Sequence, residues 1–316
     1  MTTSHDHQHS PQQGGHSHGH THSHTHASAR RLMWALLVTL VILVAELVGA
    51  WWSQSLALAA DAGHMAVDST GLIVALIAAR LMLRPRSDRY TWGWARSEVL
   101  AAALQAGMLI IISALVTWEA IWRLVQPESL DPKPMVIIGV IGLVANVISL
   151  LILSGGRHDS LNMKAAFLEV ANDAFGSLAV VIAGLVAWVW GWQRIDAIAS
   201  LLIVVLMVPR AVTLLRSAVQ ILLEATPSQL DLQALRQHIL ELPNVVSVHD
   251  LHVSTIQTGI YALTAHVGTN ATSIEQQAQL LHNLEECARH HHNLKLSHTT
   301  FQLEPANHAE HEEINH

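Results

Sequence analysis

A membrane α-helical bundle of six transmembrane helices, followed by a small cytoplasmic α+β domain of ferredoxin-like type, is the fold the sequence predicts. Three observations predict it. Of the 316 residues 51% are hydrophobic and only 13% are charged, which is too apolar for an ordinary soluble protein. The apolar residues gather into six runs near the length of about 20 residues needed to cross a bilayer. After Pro227 the runs stop, and amphipathic and alternating patterns take over.

The chain opens on a polar tail, 1–29, rich in histidine, including His16, His18, His20, His22, His24 and His26 among Ser, Thr and Gly. With no apolar residues to build a core it is expected to be disordered. Its alternating His-x-His pattern lets neighbouring imidazoles capture divalent metal loosely. The six apolar runs are 32–52, 56–83, 99–122, 135–153, 165–190 and 195–215. Trp51, Trp52, Trp122, Trp188, Trp190 and Trp192 fall near run ends, as interface anchors do. One side carries Arg30, Arg31, Arg84, Arg86, Arg89, Arg96, Arg157 and Lys164 in its connections, with Arg210 and Arg216 at the end of the sixth run. The opposite set carries only Arg123, Lys133 and Arg194. The excess of positive charge on one side predicts a multi-pass protein of the cell (inner) membrane with both termini in the cytoplasm. The transmembrane domain is thus expected over 30–220.

In the remainder, 230–242 reads as an amphipathic helix, 245–253 and 260–268 as strands, 274–290 as a helix and 296–303 as a strand. That order in about eighty residues is the basis of the ferredoxin-like expectation for 221–305; 306–316 is expected to be a flexible tail. The lone Cys287 excludes an internal disulfide framework, and a net charge of −7 gives no basic character for nucleic acid. The first apolar run starts at Leu32 and is too long for a cleavable signal.

Chemistry concentrates inside the apolar runs. His64 and Asp68 are four residues apart and share a helical face; Glu169 and Asp173 repeat the device a hundred residues on. An ionisable group at mid-membrane costs about 2.5–3.5 kcal/mol on insertion scales. Four facing lipid would cost on the order of 10 kcal/mol, so they are expected to face each other or a wet cavity. Structural tethers in membranes are usually Ser, Thr, Asn or Gln. One imidazole and three carboxylates suit Zn²⁺, Co²⁺ or Cd²⁺, and a count of four fits tetrahedral zinc best. Without metal the set would carry a charge of about −3 in low dielectric, so it is expected to hold protons that metal must expel. Asp61 and Asn172 are second candidates, as ligands or as groups orienting ligands. Glu46 and Glu119, acids without a partner at ligand spacing, are assigned to the pathway or to helix tethering. In the soluble part the candidates are His249, His252, His266, His282 and Glu304. Of these His249, His266 and Glu304 are placed to converge at one sheet edge or across a subunit interface.

The chain resembles the cation diffusion facilitator family, and its bacterial zinc, cobalt and cadmium efflux members in particular. The residues carrying the resemblance are Ser55-Leu56-Ala57-Leu58 leading into Asp61-Ala62-Gly63-His64-Met65 and Asp68. They continue with Thr91-Trp92-Gly93-Trp94, Arg96 and Glu98, then Asn162, Asp173, Gly176-Ser177 and His249-Asp250-Leu251-His252. The resemblance implies a homodimer, proton-driven export of metal from the cytosol, and transport ligation by His64, Asp68 and Asp173. Many zinc-selective members carry His where this chain has Glu169. A third carboxylate makes the site harder and extends the expected cargo to Co²⁺ and Cd²⁺. His249 and His266 match positions used for regulatory metal in some relatives, whereas Gln302 stands where some of those have His.

The expected activity is a proton-coupled antiporter of Zn²⁺, with Co²⁺ and Cd²⁺ as further cargo, in a lipid bilayer and with no resident cofactor. Zn²⁺ is substrate and candidate regulatory ion. The alternatives are a metal-sensing membrane receptor and a uniporter without proton coupling. An intramembrane metalloenzyme is disfavoured because the membrane runs lack a His-Glu-x-x-His motif.

Overall fold

The computed structural model describes residues 22–154, 161–290, 294, 296 and 298–306. Six helices come first: α1 (His22–Ser53), α2 (Leu56–Met82), α3 (Ser97–Val125), α4 (Pro132–Ser154), α5 (Leu161–Trp190) and α6 (Arg194–Leu222). Five of them, α2 to α6, are long and apolar enough to cross a membrane, and α1 contributes the apolar stretch Thr39–Ser53. The protein is a multi-pass membrane protein with a separate α+β unit after the last span. His16, His18 and His20 lie outside the described residues, as do Arg157, the side chains of His22, His24 and His26, and the end of the chain after 306.

One expectation, about α1, is corrected. Helix α1 begins at His22, inside the stretch expected to be disordered. Ala27, Ala29 and Arg30 are good helix formers, and extending an existing helix avoids the cost of nucleation. Helix α6 runs through an internal Pro209 and continues to Leu222, beyond the expected run, with Arg210 inside it as that run has it.

The helices pack as α3 against α6, α4 against α5 and α1, and α2 against α3, α1 and α6. Small residues permit the close approaches, because without a hydrophobic driving force in lipid, contact area between helices must come from backbone proximity. A Cβ on Gly142 of α4 would lie 2.9 Å from the Glu46 carboxylate of α1. The outward faces stay apolar and exposed, and exposed Trp51, Trp52, Trp118, Trp122, Trp188, Trp190 and Trp192 mark the end of the bundle away from the soluble unit.

That far end is tied by one buried acid. Ser55 caps α2, its hydroxyl accepting from the Leu58 N–H at 3.2 Å. Asp196, in the first turn of α6, accepts from the Ser55 hydroxyl at 2.6 Å and from the N–H groups of Leu56 at 2.7 Å and Ala57 at 3.2 Å. A helix start leaves such donors without intrahelical partners, and a carboxylate there also meets the positive end of the helix dipole. Arg123 of α3 lies 3.9 Å from Asp196 and pairs with Glu119 at 2.9 Å and Glu128 at 3.0 Å. Glu119, assigned from sequence to the pathway or a tether, is therefore a partner of Arg123. Asp196→Ala should strand two buried N–H groups, each worth about 1–3 kcal/mol. Thermal unfolding in detergent is expected to show a loss of about 2–6 kcal/mol, with Asp196→Asn falling between it and wild type.

The soluble unit runs α7 (Leu232–Leu240), β1 (Val245–Gln257), β2 (Ile260–Thr269), α8 (Ile274–His290) and β3 (His298–Pro305), the helix and strand order expected from sequence. Asp231 caps α7 through the N–H groups of Gln233 and Ala234. The sheet has order β1-β2-β3, β1 antiparallel and β3 parallel to β2. Alternation turns Val248, Val253, Leu263, Ala265 and Val267 onto a core with Leu235, Ile239, Leu280 and Leu284 of the helices. Arg96 to Glu224 at 2.6 Å, Thr258 to Glu98 at 3.3 Å and the Trp92 ring against His298 seat this unit below the α2–α3 connection.

Candidate metal centre

Once Ser55 fixes the start of α2, the 3.6-residue period places Asp61, His64 and Asp68 along one stripe. All three are buried or half-buried, and Asp173 of α5 meets them across the helix interface. His64 Nε2 lies 3.4 Å from Asp173 Oδ1 and 3.5 Å from Asp68 Oδ2. Neither His64 nitrogen nor Asp173 Oδ1 makes a hydrogen bond among the described residues. Two ligands bound at about 2.0–2.1 Å to a tetrahedral Zn²⁺ lie about 3.4 Å apart. Each carboxylate thus stands from His64 at the separation of two ligands on one small divalent ion, a distance long for a hydrogen bond, but the three side chains do not offer ligand atoms all within 4.8 Å of one another.

Asp68 is held from the other side by Gln105 of α3, whose amide donates to Oδ1 at 3.0 Å. Gly71 makes this reach possible, because a Cβ there would overlap the Gln105 side chain. The structure does not bring Glu169 into the His64 cluster. Its Oε1 pairs with Arg210 Nη2 at 2.9 Å, and Arg210 Nη1 reaches within 4.0 Å of Asp68 Oδ2. Thr39, Asp68, Gln105, Glu169, Asp173 and Arg210 line one cavity of about 370 Å³ in the half of the bundle nearer the soluble unit.

Asp61 belongs to a neighbouring polar group. Ser177 of α5 donates to Asp61 Oδ2 at 3.3 Å, and Asn146 of α4 donates to Ser177 at 3.1 Å. Gly176 lets α5 approach, since a Cβ there would lie 2.9 Å from Asp61 Oδ1. Glu46 of α1, 1% exposed, reaches Asp61 with its carboxyl. The partner absent at sequence spacing is thus supplied by another helix. Asn172 is half-buried on α5.

In the soluble unit three of five candidates converge. His249 and His266 are direct partners across β1 and β2, and Glu304 of β3 points to both. His249 Nε2 is 3.0 Å and His266 Nδ1 3.5 Å from Glu304 Oε1. One potential ligand atom from each residue lies within 4.8 Å of the others, and Glu304 is buried. All three occupy the sheet face opposite α7 and α8, because they alternate with the core residues Val248, Ala265 and Leu303. A bulge at Asp250, with φ of 49°, interrupts the register between His249 and His252. His252 turns to Asp250 at 2.8 Å with its side chain 58% exposed, and His282 is exposed on α8. Neither joins the trio. Gln302, exposed on β3, is paired in register with His266. Outside the membrane, partial burial beside Glu241 raises the Cys287 thiol above its usual range, which disfavours a thiolate ligand.

Comparison with known proteins matches both units. The profile of the cation efflux transmembrane domain covers residues 32–223, and that of the cation efflux protein cytoplasmic domain covers 227–306. The chain is 36% identical over 277 residues to the metal cation efflux system protein CzcD of Cupriavidus metallidurans, spanning 88% of this chain and 87% of that protein. It is 38% identical over 279 residues to the zinc transporter ZitB of Escherichia coli, spanning 88% of each. A cadmium, cobalt and zinc/H(+)-K(+) antiporter of Bacillus velezensis is 33% identical over 272 residues, 84% of this chain and 85% of that one.

Proposed function

The chain belongs to the cation efflux family, whose members are metal cation transporters and not enzymes, and from that premise we propose that it exports Zn²⁺, and also Co²⁺ and Cd²⁺, in exchange for protons. The observation that carries this reading is the spacing of His64 Nε2 at 3.4 and 3.5 Å from two carboxylates on two helices. Metal enters from the cavity on the soluble-unit side, which the excess of basic connections there assigns to the cytoplasm. His64, Asp68 and Asp173 take it, and Glu169 completes the set. Charge balance at a buried anionic site then requires the protons held by the ligands to leave. When the site opens to the other side, returning protons displace the metal and reset it. The name of the Bacillus velezensis relative includes H(+) as a counter-ion, which supports the coupling.

His249, His266 and Glu304 are proposed as a separate regulatory metal site, and the soluble unit as the homodimer contact. The deciding experiment reads internal pH in proteoliposomes as Zn²⁺, Co²⁺ or Cd²⁺ is added outside or trapped inside. Proton movement opposite to metal and proportional to it supports the antiporter. Metal flux without proton movement would leave a uniporter, and no flux in correctly inserted protein would leave a receptor.

A further inference from the structure

The cavity beside Asp68 contains a cation that the chain itself supplies. Arg210 lies within α6, one residue after Pro209, and its guanidinium spans two of the three site carboxylates. Nη2 is 2.9 Å from Glu169 Oε1, and Nη1 is 4.0 Å from Asp68 Oδ2. That Asp68 oxygen is also the one facing His64 Nε2. We propose that Arg210 is the tethered counter-cation of the metal-free site: it holds Glu169, competes with incoming divalent metal for that carboxylate, and returns to it to speed release. This rests on the reading of His64, Asp68 and Asp173 as transport ligands.

The chemistry of the guanidinium makes the exchange a cation-for-cation event. Arginine does not deprotonate in proteins, so no proton transfer can remove it from Glu169. The pair is only partly enclosed, with side chains 44% and 35% exposed, and a solvent-screened pair of this kind is weakly held. A divalent ion brings twice the charge and gains His64 and Asp173 as well, so it displaces the guanidinium. A sodium or potassium ion brings no more charge than Arg210 and lacks its directional N–H groups, so it does not. The residue therefore filters an anionic, all-purpose cation trap in favour of divalent cargo. The cavity of about 370 Å³ that Arg210 lines leaves room for the displaced side chain.

The test uses the full chain in proteoliposomes and initial rates of Zn²⁺ transport. Arg210→Gln is expected to lower KM for Zn²⁺ about tenfold and to lower kcat, because tighter ground-state binding without the competitor slows release. Excess Na⁺ or K⁺ should inhibit this variant and spare wild type. Arg210→Lys, which keeps charge but not the fork, should fall nearer to wild type than Gln does. In a Glu169→Gln background the KM effect of Arg210→Gln should disappear, since the two residues act through one contact. Arg210→Met is read in the same way if the Gln variant does not fold. An unchanged or raised KM, or the same tenfold drop in the Glu169→Gln background, overturns the proposal. Loss of flux in Asp173→Ala together with an unchanged KM in Arg210→Gln sinks this proposal alone. Retained flux in Asp173→Ala sinks the transport-site reading and this proposal with it.

Discussion

Asp173→Ala is expected to reduce metal flux by at least about a hundredfold while the chain still inserts and assembles. Losing an outer partner of a metal ligand already costs about 10–100-fold, and Asp173, 3.4 Å from His64 Nε2, is proposed as a ligand itself. The stability of the variant separates this role from a structural one. A tether contributes hydrogen bonds, so its removal lowers stability; Asp173 Oδ1 makes none with the described residues. Asp173 lines the cavity and loses only its contact with His64 when it is removed. Thermal stability in detergent should fall less in Asp173→Ala than in Ser177→Ala, whose hydroxyl links Asp61 and Asn146. Flux near wild type, or a marked loss of stability in Asp173→Ala, would remove it from the ligand set.

The second large effect is expected outside the membrane. His266→Ala or Glu304→Ala should each remove one tightly bound Zn²⁺ per chain, with affinity at that site falling by more than about a hundredfold. Zn²⁺ titration calorimetry on the full chain reads the stoichiometry directly. His252→Ala and His282→Ala should leave it untouched, because one pairs with Asp250 and the other projects from α8. Flux is expected to persist in the trio variants, since the proposed path of metal to His64 is through the membrane cavity and not through the soluble unit. Unchanged stoichiometry in both trio variants would show that the three residues only pair with one another.

The elements were legible in the sequence because long apolar runs and alternating strands leave periodic traces. That His64 meets Asp68 and Asp173 was legible for the same reason, a spacing of four on one helix and an acid inside another apolar run. Contacts between helices leave no such trace. Glu46 looks isolated along α1, yet its neighbour Asp61 comes from α2 and is admitted by Gly142 and Gly176. Arg210 was placed at the end of the sixth run, but its pairing with Glu169 of α5 is a contact between helices and was missed. In the soluble unit the convergence of His249, His266 and Glu304 followed from strand order. The fate of His252 depended on the bulge at Asp250, which strand pattern alone does not reveal.

The Asp196 knot has a mechanical consequence. It pins the starts of two parallel helices, α2 and α6, at one end of the bundle, while Asp68 and Arg210 lie on those same helices farther along. At 1.5 Å per residue, Asp68 is about 18 Å from Leu56 and Arg210 about 21 Å from Asp196 along their axes. The two helices therefore behave as the blades of a pair of tongs with a common rivet. A splay of about 10° at the rivet, acting over about 20 Å, parts the tips by about 3.5 Å. That is enough to draw the guanidinium off Asp68 with every bond at the far end intact.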